Sequence, residues 1–320
     1  MRIFVTGANG FIGSHVVEAL TQKGYKVKAI VRKSANLEWL KDLPIELYYG
    51  NITELATVCE YLKDVDVILH IAGATKGKTY EDYYRVNVIS TENLLTAITT
   101  NKLELKKFIY FSSIAAVGGV EPHGQITEAI RPQPVSWYGE TKRKGEELVL
   151  QASDKFPVVI LRLSAIYGPR DKEMLSYFKF LKYHLRPYWD GEVSLCYIKD
   201  LTCAVLATLD TELPSPAIYN ISDGNCYTID EISKTAERIL GYTAIPVRVP
   251  KKVLELTAIL INQLSREASI ISPDKVKELK EPCWVCNIAK AQRELNFHPQ
   301  YSLFRGLQET LNWYRKVHWL

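Results

Sequence analysis

The sequence predicts an α/β fold: a doubly wound parallel sheet followed by a smaller C-terminal α/β lobe. Three observations predict it. Short apolar runs of β-formers alternate with helical patterns through the first half of the chain. Those runs are almost continuously apolar, as strands covered on both faces are. The chain also opens MRIFVTGANGFIG, with Gly7, Gly10 and Gly13 at three-residue spacing between an apolar run and a helical pattern.

That opening stretch comes first in order. Ile3, Phe4 and Val5 read as a strand, and Ile12, Val16, Val17, Ala19 and Leu20 as the inner face of a helix. Strand, glycine turn and helix together are the context of a dinucleotide site. Gly7 can take the φ a tight turn needs. Gly10 lets a pyrophosphate approach the backbone, and Gly13 lets helix and strand pack closely. The free N–H groups at the helix start favour the negative charge. The candidate cradle is therefore Gly7, Asn9, Gly10, Phe11, Ile12 and Gly13. A glycine loop without a ligand is the alternative, and the βα units that follow argue against it.

Bulk properties bound the function. The 320 residues suffice for a large core and two lobes. A formal net charge of +4 from 40 basic and 36 acidic residues gives no footprint for nucleic acid. No apolar run is long enough to span a membrane, and a strand starting at residue 2 or 3 leaves no room for a signal peptide. Six cysteines in a chain of this size do not read as a disulfide framework, so a cytoplasmic location is expected. Cys283 and Cys286 form one CxxC without a second pair, which favours packed thiols over metal or redox chemistry.

Residues 26–31 read as the second strand. An acidic residue at its end would bind the ribose 2′-hydroxyl of NAD. Arg32 and Lys33 stand there instead, and two cations suit the 2′-phosphate of NADP; solvated loop charges are the alternative. NADP is expected, with NAD as the alternative. Residues 45–49 read as the third strand, followed by Asn51, Ile52 and Thr53. Asn51 is placed to meet an adenine edge, and Thr53 to cap the next helix. Residues 65–71 read as the fourth strand, with Ala72 and Gly73 leaving room for the cofactor and His70 as a packed histidine. A long helix over 83–100 carries Asn87, and a strand over 108–111 runs into Ser112 and Ser113.

The chemistry lies in a helix over 136–154. Tyr138 and Lys142, four residues apart, share one face. A free phenol with a pKa of about 10 is a poor base at neutral pH. A neighbouring ammonium favours the phenolate and makes the tyrosine a usable acid/base. A serine hydroxyl can hold the substrate oxygen.

TGANGFIG, NIT, HIAG, Asn87, FIYFSS, YGETK and LRLSAIYGP together resemble the extended short-chain dehydrogenase/reductase family, also called the NAD-dependent epimerase/dehydratase family, across essentially the whole chain. The resemblance implies a Rossmann fold. It also implies that Tyr138 is the acid/base and that Lys142 lowers its pKa and holds the nicotinamide ribose. Ser113 would orient the substrate oxygen, with Ser112 in reserve, and Asn87 is the family's helix asparagine. Ser164 and Ile166, after a strand over 157–163, lie on the loop that passes the nicotinamide. Within the family, FIYFSSIAAVG is most similar to the 3β-hydroxysteroid dehydrogenase and dihydroflavonol reductase branch, whose serine maps to Ser113. Sugar epimerases and dehydratases carry theirs one position later, here Ile114. Ala115-Ala116 replaces the dehydratases' Asp-Glu pair, so dehydration is not expected. Val193 stands where nucleotide-sugar enzymes often place an arginine, a role Arg170 or Arg186 could take.

In the second half, helical character over 174–183 precedes a loop over 186–191 whose Tyr188 and Trp189 either line a pocket or pack the lobe. Residues 194–198 are expected to return to the main sheet, with Asp200 capping a helix through 209. Strands over 218–221 and 247–249 flank a helix over 228–240 capped near Thr228 or Asp230. The apolar helix over 253–264 is too short to span a bilayer and is expected to pack in the core; a wall over the substrate pocket or a membrane-surface contact is the alternative. Helices over 272–279, 288–295 and 303–316 complete the chain, with a short strand at Trp284.

The expected division is a dinucleotide-binding domain over 1–165, with returning segments near 193–221, and a substrate lobe over 166–320. The expected activity is an NAD(P)-dependent oxidoreductase acting on an alcohol or ketone carbon of a small-molecule substrate, to whose hydrophobic character the 253–264 stretch points. A nucleotide-sugar epimerase is the alternative, and a dinucleotide sensor without turnover the least favoured. The resemblance implies a homodimer through the helices over 83–100 and 136–154.

Overall fold

The computed structural model describes residues 1–264 and 272–320. Six strands and the helices between them alternate through the first half: β1 (Arg2–Thr6), α1 (Phe11–Gln22), β2 (Lys26–Val31), β3 (Ile45–Tyr49), α2 (Leu55–Tyr61), β4 (Val67–His70), α3 (Tyr80–Tyr84), α4 (Ser90–Thr100), β5 (Lys107–Ser113), α5 (Trp137–Gln151) and β6 (Val158–Leu163). Strand β7 (Ala165–Tyr167), helix α6 (Lys172–Phe178), strands β8 (Leu185–Tyr188), β9 (Glu192–Val193) and β10 (Leu195–Tyr197), and helix α7 (Ile198–Asp210) open the second half. It continues with β11 (Ala217–Ile221), β12 (Tyr227–Thr228), α8 (Ile229–Leu240), β13 (Ile245–Arg248), α9 (Lys251–Leu264), α10 (Pro273–Lys280), β14 (Cys283–Trp284), α11 (Ala289–Leu295) and α12 (Leu303–Lys316).

The main sheet has seven strands in the order β11-β6-β5-β4-β1-β2-β3, all parallel. Alternate side chains point to opposite faces. Ile3 and Val5 enter the core with Val16, Val17 and Leu20 of α1, whereas Phe4 between them joins Leu94, Ile98 and Phe108 on the other side. Both faces are thus covered, which is why these strands read as apolar throughout. The order reverses between β1 and β4, and ligands of such sheets bind at the carboxyl ends around that point.

Several elements depart from their sequence patterns. The helix expected over 83–100 is three pieces: α3, a π turn over Arg85–Ile89, and α4. Residues 194–198 do not return to the main sheet; Leu195–Tyr197 pairs with Ala165–Tyr167 in a separate two-stranded sheet. The strand that returns is β11, beside β6. The expected loop over 186–191 begins as β8, which pairs with β13. Asp200 does not cap its own helix, because its carboxylate accepts the backbone N–H groups of Gln300 and Tyr301. Thr53 does not cap α2; its own N–H donates to Asn51 Oδ1, and Glu54 occupies the cap position. Thr228 does cap α8, through a reciprocal pair with Glu231.

The largest departure is α9. The expectation of core packing fails for most of it: Val253, Leu256, Ile259 and Leu260 are exposed, and among its described side chains only Ala258 is fully buried. Among the described residues no helix is long and apolar enough to cross a membrane. Cys283 and Cys286 are free, buried thiols, the second pushed up to about 11 by burial.

Candidate active site

A cleft of about 1490 Å³ runs across the carboxyl ends of β1, β2, β4, β5 and β6. Its floor at one end is the glycine turn. Gly7 has φ +71°, and a Cβ there would sit 2.7 Å from the Ala72 backbone nitrogen. A Cβ on Gly13 would lie 2.1 Å from the Gly7 carbonyl oxygen. Gly10 donates to that same carbonyl at 3.0 Å and stands as the N-cap of α1 without a side chain to occupy the first-turn N–H groups. The turn therefore closes on itself and leaves the helix start open to an anion. Asn9, Phe11 and Ile12 line the same stretch.

Toward the β2 end, Arg32 lines the cleft with Asn36, Glu38 and Trp39, whereas Lys33 does not. Asn51 and Ile52 form the opposite side of this corner, and Ala72 and Gly73 continue the wall after β4. Ser164 and Ile166 line the cleft from beyond β6; the Ser164 hydroxyl is buried there without a protein partner. A glycine cradle that side chains would fill and an orphaned hydroxyl on the far wall fit an elongated dinucleotide.

The residues with acid/base chemistry gather past this end. Ser113 and Tyr138 both line the cleft. Ser113 Oγ accepts the Ala115 N–H at 3.1 Å, which fixes its rotamer. Burial pushes the Tyr138 phenol up to about 12; the nearby Ser113 hydroxyl and Lys275 pull it down, while Glu278 and Glu173 push it up. Lys142 lies beneath the wall, 3% exposed. Its Nζ donates to the Phe111 carbonyl and sits 4.4 Å over the Tyr110 ring. Burial holds its ammonium down to about 7, against the opposing pull of Glu146.

Glu146 belongs to a closed ionic network. Arg162 grips it at 2.8 and 3.0 Å, and Ser112 Oγ donates to it at 2.5 Å, all within the core. Both serines line the cleft, but the Ser112 hydroxyl is taken up by Glu146, which leaves Ser113 as the serine whose hydroxyl can serve there. Asn87, on the π turn, is buried. Its Oδ1 accepts the Ala74 N–H at 2.7 Å, and its Nδ2 donates to the Ala74 carbonyl and to Thr141 Oγ1 at 3.2 and 3.0 Å. A Cβ on Gly73 would approach Asn87 Oδ1 at 3.2 Å and Lys142 Nζ at 3.5 Å, so this glycine lets the loop rest on both. His70 is packed: Thr6 and Thr91 hydroxyls occupy its two ring nitrogens, and burial lowers it to about 3.

Some of the site was not legible in the sequence. Asp274 on α10 accepts the backbone N–H groups of Trp137 and Tyr138, and Glu278 accepts the Ser136 hydroxyl at 2.6 Å. Ser272-Pro273 signals a helix start, but nothing local signals that this helix meets α5. Arg170, whose guanidinium lies 4.8 Å over Trp39 and bonds Glu18, lines the cleft; Arg186 does not, because it is buried against Glu237 and Asp230. Of the two arginines offered in place of Val193, only Arg170 reaches the site. Trp189 faces the cleft as well.

Comparison with known proteins gives a consistent set. Residues 3–222 match the model of the NAD dependent epimerase/dehydratase family. The ceramide reductase of Caulobacter vibrioides is 27% identical over 326 residues, covering 99% of this chain and 96% of that protein. An uncharacterized UDP-glucose epimerase of Bacillus subtilis is 29% identical, with 97% of each chain covered. The crystal structure of UDP-glucuronic acid 4-epimerase from Bacillus cereus, in complex with UDP-glucuronic acid and NAD, superposes with a TM-score of 0.82 at 26% identity, over 99% of this chain and 100% of that one.

Proposed function

The chain belongs to the NAD dependent epimerase/dehydratase family, and within it we propose an NAD(P)-dependent oxidoreductase that exchanges hydride with an alcohol or ketone carbon of a small organic substrate. The observation that carries this reading is that Ser113 and Tyr138 stand together on the wall of a cleft that begins at the glycine cradle. The dinucleotide, when bound, supplies or takes the hydride. Ser113 holds and polarises the substrate oxygen. Tyr138, held near 12 by burial, is a protonated phenol at neutral pH and gives its proton to the oxygen as a ketone is reduced. In the other direction the phenol must lose that proton, and Lys142, where it carries its own proton below about pH 7, favours the phenolate. Asn87 acts as a positioning residue, tying the 73–74 loop to α5 through Thr141.

Arg32 supports NADP over NAD, because a guanidinium can grip a 2′-phosphate and no acidic residue ends β2. Residues 1–165 form the dinucleotide-binding unit and 166–320 mainly the substrate lobe in this reading. The enzyme is cytoplasmic and a homodimer through the 83–100 and 136–154 helices; a single chain mass by light scattering would refute the dimer.

A nucleotide-sugar epimerase is the second reading, favoured by the likeness to the Bacillus cereus enzyme. Ile114 and Val193 count against it. Oxidation of NADPH and NADH against a panel of ketones separates the two. Net cofactor oxidation with a ketone supports the oxidoreductase. Tightly copurifying dinucleotide, no net oxidation and interconversion of a UDP-sugar support the epimerase.

A further inference from the structure

Helix α9 packs on α10 and leaves an apolar arc outside. Ala258 is buried and Leu254 half-buried, while at the edge Lys251 Nζ donates to the Lys280 carbonyl at 2.7 Å and Glu255 pairs with Lys280 Nζ at 2.8 Å. Val253, Leu256, Ile259 and Leu260 fall within an arc of about 120° at 100° per residue, and Leu256 and Leu260 are 63% and 57% exposed. A helix so arranged leaves apolar area in water that a covering surface would remove.

The neighbouring elements extend the same character. Strand β13 runs into α9 through only Val249 and Pro250. Its Ile245 and Val247, two residues apart, are exposed, and Ile245 is in register with the exposed Leu185 of β8. The 3₁₀ turn that leads into β8, Lys179–Tyr183, adds Phe180 at 46% and Tyr183 at 75% exposed. Aromatic, branched and leucine side chains thus stand outward on four pieces of the substrate half.

The charges around them have one sign. Lys179 and Lys182 flank Phe180 and Tyr183, and Lys252 precedes Val253. All three are exposed, and among the described residues no acidic side chain pairs with any of them. The nearby acids are neutralised in place, Asp190 by Arg248 and Glu255 by Lys280. Exposed leucine, phenylalanine and tyrosine bordered by unpaired lysines is the composition of a surface that lies in the headgroup region of an anionic bilayer. We propose that this face, formed by α9, β13, β8 and the 179–183 turn, docks the protein on an anionic lipid bilayer without crossing it.

The surface also sits by the substrate end of the cleft. Helix α10, to which α9 is bonded, contributes Lys275, Glu278 and Leu279 to the cleft wall, and Trp189 lines the cleft one residue beyond β8. Docking therefore sets this end of the cleft close to the lipid surface.

Sedimentation of the full chain with vesicles tests the proposal. The chain is expected to pellet with phosphatidylcholine vesicles that contain phosphatidylglycerol, and less with phosphatidylcholine alone. Leu256→Gln with Leu260→Gln should lower partitioning about tenfold or more. Lys179→Gln with Lys182→Gln should lower it roughly tenfold on anionic vesicles only, with the wild-type share lost in high salt. Both variants alter exposed side chains and should melt at the wild-type temperature. A wild-type chain that stays in the supernatant with anionic vesicles overturns the proposal. So does a Leu256→Gln/Leu260→Gln chain whose mass in solution halves while its vesicle partitioning is unchanged, since the face then joins two copies of the chain.

Discussion

The Asp274 carboxylate accepts the backbone N–H of Tyr138 at 3.2 Å across 136 residues of sequence. The helix that carries the acid/base thus has two first-turn N–H groups, those of Trp137 and Tyr138, accepted from the other half of the chain, beside its own Ser136 cap on the Gly139 N–H. Asp274→Ala removes that acceptor and leaves the Ser136 cap in place. It is expected to lower stability by about 1–2 kcal/mol, read from urea unfolding. It should also lower kcat, while dinucleotide affinity, set at the glycine turn, stays as it was.

Tyr138→Phe removes the only proposed proton carrier beside Ser113 on the cleft wall. The expected loss in kcat is about 10²–10⁴-fold, with an unchanged melting temperature and unchanged dinucleotide binding. Full activity in this variant would falsify the assigned mechanism. Ser113→Ala should cost less in kcat and should also raise KM.

Arg32 governs the choice of cofactor in this reading. A hydrogen bond to a charged group contributes about 1.5–3 kcal/mol, so Arg32→Ala should weaken NADP binding roughly 10–100-fold and leave NAD binding almost unchanged. Isothermal titration with each dinucleotide checks this. Equal weakening of both would remove the basis for preferring NADP.

Gly13→Ala places a methyl group 2.1 Å from the Gly7 carbonyl oxygen. The contact is backbone on both sides and has no flexible atom to yield. The turn must open, and the variant should lose dinucleotide binding at least tenfold by fluorescence titration. Gly10→Ala, whose added carbon would lie 3.3 Å from the same oxygen, should disturb the turn itself less.

Lys142 gives a pH signature. Burial lowers its folded-state value from 10.5 to about 7. Below about 7 both states carry the proton, and the folded state bears the full penalty of a buried charge. Between about 7 and 10.5 the unfolded chain holds more protons than the folded one, so stability rises with pH across that window. Lys142→Met lacks this dependence. The stability difference between wild type and variant should therefore shift toward wild type from pH 7 to pH 10.5, and be flat below pH 7. A difference independent of pH would mean that the amine is not held neutral by burial.

The parts of the fold that were legible in the sequence are those governed by local pattern. The strand, turn and helix at residues 2–22, the Thr228–Glu231 capping box and the final helix Leu303–Lys316 all follow from spacing and cap chemistry. Tyr138 and Ser113 were legible for the same reason, since each sits in a short motif on its own element. What was missed depends on packing between distant segments. The pattern over 194–198 is that of a buried strand, but it cannot say which sheet receives it, and the two-stranded pairing with β7 decides that. The hydroxyls of Ser112 and Ser113 diverge because Glu146 and Arg162 arrive from α5 and β6. For α9, apolar composition reads as core wherever a helix is assumed to turn its apolar side inward, and here Val253, Leu256, Ile259 and Leu260 stand in solvent instead.

The π turn over Arg85–Ile89 has a further consequence. A π turn accommodates one residue more than the regular spiral around it, so the extra residue alters the local phase of the helix while the segments before and after keep their own faces on the core. Deleting one residue there would restore an unbroken α-helix, a change that favours secondary structure. The damage would appear elsewhere, as the loss of Asn87's alignment with Ala74 and Thr141. The chain keeps a local defect whose removal would make a better helix and a worse site.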